Sequence, residues 1–310
     1  MKRLLPVLIL LALLQSCSFK VSKTMLKMLL TGANRERTDL CYADSCANKI
    51  GLAYVEDGAP KQVLDIYYAD AAIRKDAVLI DIHGGFYVAG LRQNNRYFAS
   101  PFLKEGYDVV LVEYRLNDGT LDVSTELADC AAALDYLALN ADELGLNKDR
   151  MFVTGDSAGG HLALYMAEGS ENRAMPVHPE HFVARGALLN CPAYDFAVYG
   201  ETELYTKNCR AWFIGPRYED KEWMRSMSPR TYLTSYSGPL FLSTCTNDFI
   251  RGESLKLKAD CDSLARPLVF VDIESDDKKV GHVHNVSSPD LPESQTVNAR
   301  MVEFMDQICL

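Results

Sequence analysis

A chain of 310 residues, 48% of them hydrophobic, can bury a sizeable core, and this composition excludes an intrinsically disordered protein. The length suits one α/β domain carrying an insertion. A formal net charge of −10 disfavours nucleic acid as a partner, because Lys and Arg must neutralise the phosphates there.

The chain begins with the pattern of a targeting segment. Lys2 and Arg3 precede an apolar run from Leu4 to Leu14. That run is too short to cross a bilayer as a helix, which takes roughly 20 residues. Leu14-Gln15-Ser16-Cys17 then resembles a bacterial lipobox, in which the cysteine is lipidated and becomes the new N-terminus. Ordinary secretion and an uncleaved anchor are the alternatives. The expectation is a signal peptide over 1–16, a lipid on Cys17, a tether over 17–49 and export to a bacterial cell-envelope membrane. Export permits disulfides. Cys41, Cys46, Cys209 and Cys261 are the candidates, while Cys130, Cys191 and Cys245 fall in apolar patterns and read as free buried thiols. No Cys/His spacing resembles a zinc site, and no cofactor is called for.

From residue 50 to 310 strands and helices alternate. Val63–Tyr68, Ala77–Ile82, Val109–Val112, Met151–Thr154, Ala187–Leu189, Leu240–Ser243 and Leu268–Val271 read as strands, most of them continuously apolar. Between them the spacing of apolar residues predicts helices over Thr125–Leu144 with Ser124 as N-cap, over His161–Ala167 and over Glu253–Leu264. Val297–Ile308 closes the chain as an amphipathic helix. Apolar strands alternating with amphipathic helices predict an α/β fold, with a mostly parallel central sheet covered on both faces. One stretch breaks the pattern: Tyr194 to Tyr236 holds ten aromatics in 43 residues. It reads as a short lid insertion, about 194–237, over the C-terminal edge of the sheet, where open α/β folds bind ligands.

Two glycine motifs carry chemistry. Gly155-Asp156-Ser157-Ala158-Gly159 matches G-x-S-x-G between an apolar strand and a helix. A serine on that sharp turn is presented as a nucleophile, and glycines admit the close approach of neighbouring backbone. A bland reading, a glycine-rich loop whose serine merely caps the helix, competes with it. Ile82-His83-Gly84-Gly85-Phe86 ends the second apolar strand. Backbone amides near Gly84 and Gly85, with that of Ala158 after the nucleophile, would form an oxyanion hole. His83 reads as a buried histidine that holds this loop.

His83-Gly84-Gly85 together with Gly155-Asp156-Ser157-Ala158-Gly159-Gly160-His161 resembles the hormone-sensitive-lipase-like and feruloyl-esterase-like branches of the α/β-hydrolases. Phe86 stands where the family often has a third glycine, so the donor among Gly84, Gly85 and Phe86 is open. The resemblance implies the chain order serine, acid, histidine. It places the acid at Asp248, after the strand Leu240–Ser243, and the base at His282, with His284 in the position of a family aromatic. The implied activity is that of a serine carboxylesterase acting through an acyl-enzyme on short-chain esters or on acetyl or feruloyl esters of polysaccharide. A serine peptidase of the same fold and an inactive binding protein are the competing readings. Oligomeric state is not legible.

Overall fold

The computed structural model describes residues 35–196 and 213–309. The targeting segment 1–16, Cys17, the first half of the tether and the middle of the insertion, with Cys209 and Trp212, lie outside the described residues.

Eight strands form one sheet in the order β1-β2-β4-β3-β5-β6-β7-β8. They are β1 (Ala47–Ala53), β2 (Val63–Tyr68), β3 (Val78–Ile82), β4 (Asp108–Val112), β5 (Met151–Asp156), β6 (Gly186–Asn190), β7 (Leu240–Cys245) and β8 (Leu268–Ile273). β2 runs antiparallel to both β1 and β4, and every other neighbouring pair is parallel. All residues of β3 to β7 are buried, because helices cover both faces, and this explains their largely apolar sequences. The mostly parallel sheet expected from the sequence is therefore present.

β1 is a mostly exposed edge strand whose sequence, Ala-Asn-Lys-Ile-Gly-Leu-Ala, has too little alternation to read as a strand. It crosses the domain boundary drawn at residue 50, so the folded unit starts before that point. Its pairing with β2 shifts register between Lys49 and Leu52, where Gly51 takes φ 70° and gives its amide to Asp65 Oδ1 at 2.8 Å. A glycine meets that backbone without the cost of a Cβ.

The helices are α1 (Arg96–Lys104), α2 (Val123–Leu139), α3 (Ala141–Leu144), α4 (Ala158–Glu171), α5 (Lys221–Ser226), α6 (Arg251–Ser263), α7 (His284–Ser287) and α8 (Pro292–Cys309). Side chains alternate across each strand, so the sheet feeds two cores. Ile80, Val153 and Leu189 meet Leu127 of α2, Leu162 of α4 and Leu257 of α6 on one face. Leu79, Phe152 and Leu188 meet Phe98 of α1 and Met301 of α8 on the other. α1 is not among the expected helices, since Pro101 inside it reads as a break. The helix expected over Thr125–Leu144 starts earlier and breaks at Asn140. Its N-cap is Asp122, not Ser124, since the carboxylate accepts the Ser124 amide at 3.0 Å.

The expected disulfide role of Cys41, Cys46 and Cys261 is not met: all three are free thiols, as are the buried Cys130, Cys191 and Cys245. Cys261 faces the core from α6, fully buried among apolar neighbours. Among the described residues no helix is long and apolar enough to cross a membrane.

Candidate active site

Parallel strands bring their C-terminal ends to one edge, and the three expected catalytic side chains hang from loops there. β5 runs through Asp156 and α4 begins at Ala158, which leaves Ser157 alone on the turn at φ 55°, ψ −118°. A side chain in that conformation stores roughly 1–3 kcal/mol of strain, which persists only where the surroundings over-determine it. Here the Ser157 amide donates to the Asn190 carbonyl at 2.9 Å, and the Ser157 carbonyl accepts from the Ala193 amide at 3.1 Å. The glycines of the motif are steric necessities. A Cβ on Gly159 would lie 1.9 Å from the Ile82 carbonyl oxygen, and one on Gly155 would lie 2.3 Å from that of Gly159.

The loop after β3 lies against this turn. The amide of Gly84, one of the expected oxyanion donors, donates to Asp156 Oδ1 at 3.0 Å. That grip fixes the next residues. Gly85, at φ 131°, and Phe86, at φ 56°, turn the chain, and among the described residues their N–H groups meet no acceptor. The amide of Ala158 belongs to the first turn of α4, where amides have no intrahelical acceptor. Asp156 is itself held by Asn95, whose Nδ2 donates to Asp156 Oδ1 at 3.2 Å and to Asp81 Oδ2 at 2.8 Å. Burial, and then the Asp156 carboxylate, push Asp81 well above the usual carboxyl range. His83 is buried, stacks on Tyr114 at 4.4 Å between ring centroids and bonds the Gly84 carbonyl at 2.8 Å. It holds the loop, as its sequence position suggests.

Asp248 follows β7 and His282 follows β8, and a bridge between Asn247 and Gly281 ties the two loops. His282 Nδ1 lies 2.6 Å from Asp248 Oδ1. Burial works to raise the pKa of Asp248. The neighbouring His282 imidazole, the Ile250 amide at 3.0 Å and the Thr244 hydroxyl at 2.9 Å outweigh it and hold the carboxyl below its ordinary value. A charged carboxylate so placed keeps the imidazole proton on Nδ1 and leaves Nε2 as the acceptor. Nε2 is buried and meets no hydrogen-bond partner among the described residues, Ser157 included. His284 is turned away: it starts α7, is buried, and bonds Ser294 Oγ through Nδ1 at 2.9 Å.

Several residues at this edge carry no signature in the sequence. Phe249 lies 4.2 Å from the His282 ring, and Phe86 stacks on both Phe249 and Phe213, which makes an aromatic wall beside the histidine. Below it, Asn190 Oδ1 accepts from Ser243 Oγ at 3.0 Å and from Asn285 Nδ2 at 2.7 Å, and Asn285 exchanges bonds with Asn298 of α8. Partners so distant along the chain leave no local pattern. Cys191, Asp248 and His282 could offer sulfur, oxygen and nitrogen to a metal within 4.8 Å of one another. A metal there would first have to displace the proton shared by Asp248 and His282.

The BD-FAE family model matches residues 64–254, from β2 into α6 and across the turn at Ser157. The chain belongs to the BD-FAE family. Other similarities are consistent with that membership. Ethyl acetate hydrolase of Pseudomonas putida is 26% identical over 196 residues, covering 61% of this chain and 56% of that protein. Lipase 2 of Moraxella sp. (strain TA144) is 33% identical over 94 residues, covering 30% of this chain and 22% of that one. The chain thus spans less than two thirds of the length of these curated relatives. Among solved structures, esterase B from Lactobacillus Rhamnosis superposes with a TM-score of 0.76 at 24% identity, over 87% of this chain and 88% of that chain. A truncated carbohydrate esterase from gut microbiota gives 0.68 at 18% identity, over 85% and 96%. At such identities the likeness establishes the fold, which is that of the α/β-hydrolases.

Proposed function

We propose that this BD-FAE family member is a serine carboxylesterase, a carboxylic ester hydrolase that works through an acyl-enzyme. One observation carries the reading. The buried Asp248–His282 bond of 2.6 Å leaves an unengaged Nε2 on the same sheet edge as a serine on a strained strand-to-helix turn. Ser157 Oγ attacks the ester carbonyl carbon while His282 Nε2 takes its proton. The carbonyl oxygen becomes anionic and is received by the amides of Ala158 and of Gly85 or Phe86. The collapsing intermediate expels the alcohol, to which the imidazolium returns the proton. Water then repeats the sequence and frees the acid. Catalytic hydrogen bonds are often long without substrate and tighten when it binds.

Short acyl groups, free or on polysaccharide, are the proposed substrates. The aromatic wall of Phe86, Phe213 and Phe249 supports a confined acyl site. The Pseudomonas relative is named for ethyl acetate, and the Lactobacillus esterase has also been solved with a C4-C4 tributyrin phosphonate. The test is a series of p-nitrophenyl esters from acetyl to palmitoyl, with acetylated xylan and methyl ferulate. Turnover should fall with chain length, and Ser157→Ala should lose roughly 10⁴ in kcat, together with labelling by a fluorophosphonate. Labelling that survives in Ser157→Ala overturns the nucleophile, and faster turnover of palmitoyl esters overturns the short-chain reading. We further propose that the chain is exported and held to a membrane through a lipid on Cys17, a reading supported by residues 1–17 alone.

A further inference from the structure

We infer that Cys191 is a positioning residue for the proposed triad, the point from which the serine, acid and histidine loops are held in register. The inference rests on the esterase reading for its kinetic consequence, and on geometry for everything else.

Cys191 follows the last residue of β6 and is fully buried. Its neighbour Asn190 accepts the Ser157 amide through its backbone carbonyl, so the nucleophile turn hangs on this corner. The Cys191 amide donates to the Ser243 carbonyl at 2.8 Å, which ties the same corner to β7, whose Thr244 hydroxyl holds Asp248. The side chain completes the set. Cys191 Sγ accepts the Val283 amide at 3.4 Å, directly after His282, and lies within 4.8 Å of the Asp248 carboxylate and the His282 ring nitrogen. One thiol thus reaches the loop of the base and borders the acid.

The backbone argues that the side chain matters. Cys191 takes φ 47°, a left-handed conformation that glycine adopts freely and a side chain adopts only at a cost. Glycine would relieve the strain, yet a cysteine stands there. Val283, its hydrogen-bond partner, is left-handed as well, at φ 51°. Two strained residues facing each other across one N–H···S contact mark a junction that the surrounding structure over-determines. Burial and the nearby Asp248 charge keep the thiol protonated, so it can face a carboxylate without adding a second negative charge. Sulfur suits the span, being larger than a hydroxyl oxygen and a weak acceptor.

The experiment compares wild type with Cys191→Gly, Cys191→Ala and Cys191→Ser. Glycine relieves the strained backbone, which favours a folded variant, and melting temperatures check this. Active sites are counted with a fluorophosphonate. Per titrated site, the glycine and alanine variants should lose about 10-fold or more in kcat with little change in KM, since misplacement of reacting groups is felt mainly in the chemical step. Serine should recover part of that loss. A second readout needs no substrate: the His282 Nδ1 proton, held in the 2.6 Å bond to Asp248, should give a far-downfield NMR resonance that moves or broadens in the glycine and alanine variants. Variants that match wild type in kcat per site and in this resonance overturn the inference, whatever their melting temperatures. If wild type hydrolyses no ester while the resonance still shifts on substitution, the esterase reading fails and the positioning role stands.

Discussion

Two residues apart in the chain, His282 and His284 have different fates, and the difference is a matter of partners. On an extended loop both side chains would point to the same side. The backbone is not extended there: Val283 is left-handed and α7 begins at His284. His282 is delivered to Asp248, whereas His284 turns toward Ser294 at the start of α8. His282→Ala should therefore lose about as much kcat as Ser157→Ala, and the double variant should lose little more, because triad members act as a unit. His284→Ala should keep most of kcat and lower the melting temperature, since Ser294 Oγ also donates to the His284 carbonyl at 3.0 Å. Measuring kcat and melting temperature for the three variants decides it; a collapse of kcat in His284→Ala alone would make His284 the base.

At the scale of elements, α4 does more than present the proposed nucleophile. Its first turn carries His161, fully buried, packed against Phe196 and bonded through Nε2 to the Met227 carbonyl at 2.8 Å. The helix is thereby fastened to both ends of the aromatic insertion. Burial pulls the His161 pKa down from 6.5 to about 4, with the Met227 bond opposing. The sign follows from which state takes the proton. Below pH 6.5 the unfolded chain protonates this histidine and the folded protein does not until about pH 4, so stability is lost as pH falls through that window. A shift of this size corresponds to about 3 kcal/mol when complete. His161→Gln keeps a donor for Met227 and removes the titration. It should be less stable than wild type at neutral pH, yet wild type should lose about 2–3 kcal/mol more between pH 7 and pH 4.5. Urea unfolding at the two pH values reads this directly, and parallel losses in the two proteins would mean that His161 is not kept neutral by burial.

For the whole molecule, the proposal that bears on location is the lipid on Cys17. If Cys17 carries a lipid, metabolic labelling with a fatty-acid analogue should mark the wild-type chain and fail to mark Cys17→Ser. The variant should also leave the membrane fraction, since a single acyl chain already adds about 0.8 kcal/mol per buried methylene. An unlabelled, soluble wild-type protein cleaved near Ser16 would mean ordinary secretion instead.

The sequence by itself determined the features that depend on neighbours a few residues away. Strands buried on both faces are largely apolar, so β3 to β7 were legible, and the turn at Ser157 was legible because Gly155 and Gly159 are required by backbone contacts there. Asp248 and His282 were legible only through the order that a family resemblance implies. What lay beyond were choices between partners distant in sequence. Gly84 and Asp156 are 72 residues apart, and only the parallel pairing of β3 with β5 brings the amide of one to the carboxylate of the other. Asn190 and Asn285, separated by 95 residues, meet because β6 and the start of α7 end at one corner of the sheet. Periodicity and turn chemistry act over short spans. Which buried donor finds which acceptor is decided by where the strands stop, and that is a property of the packed sheet.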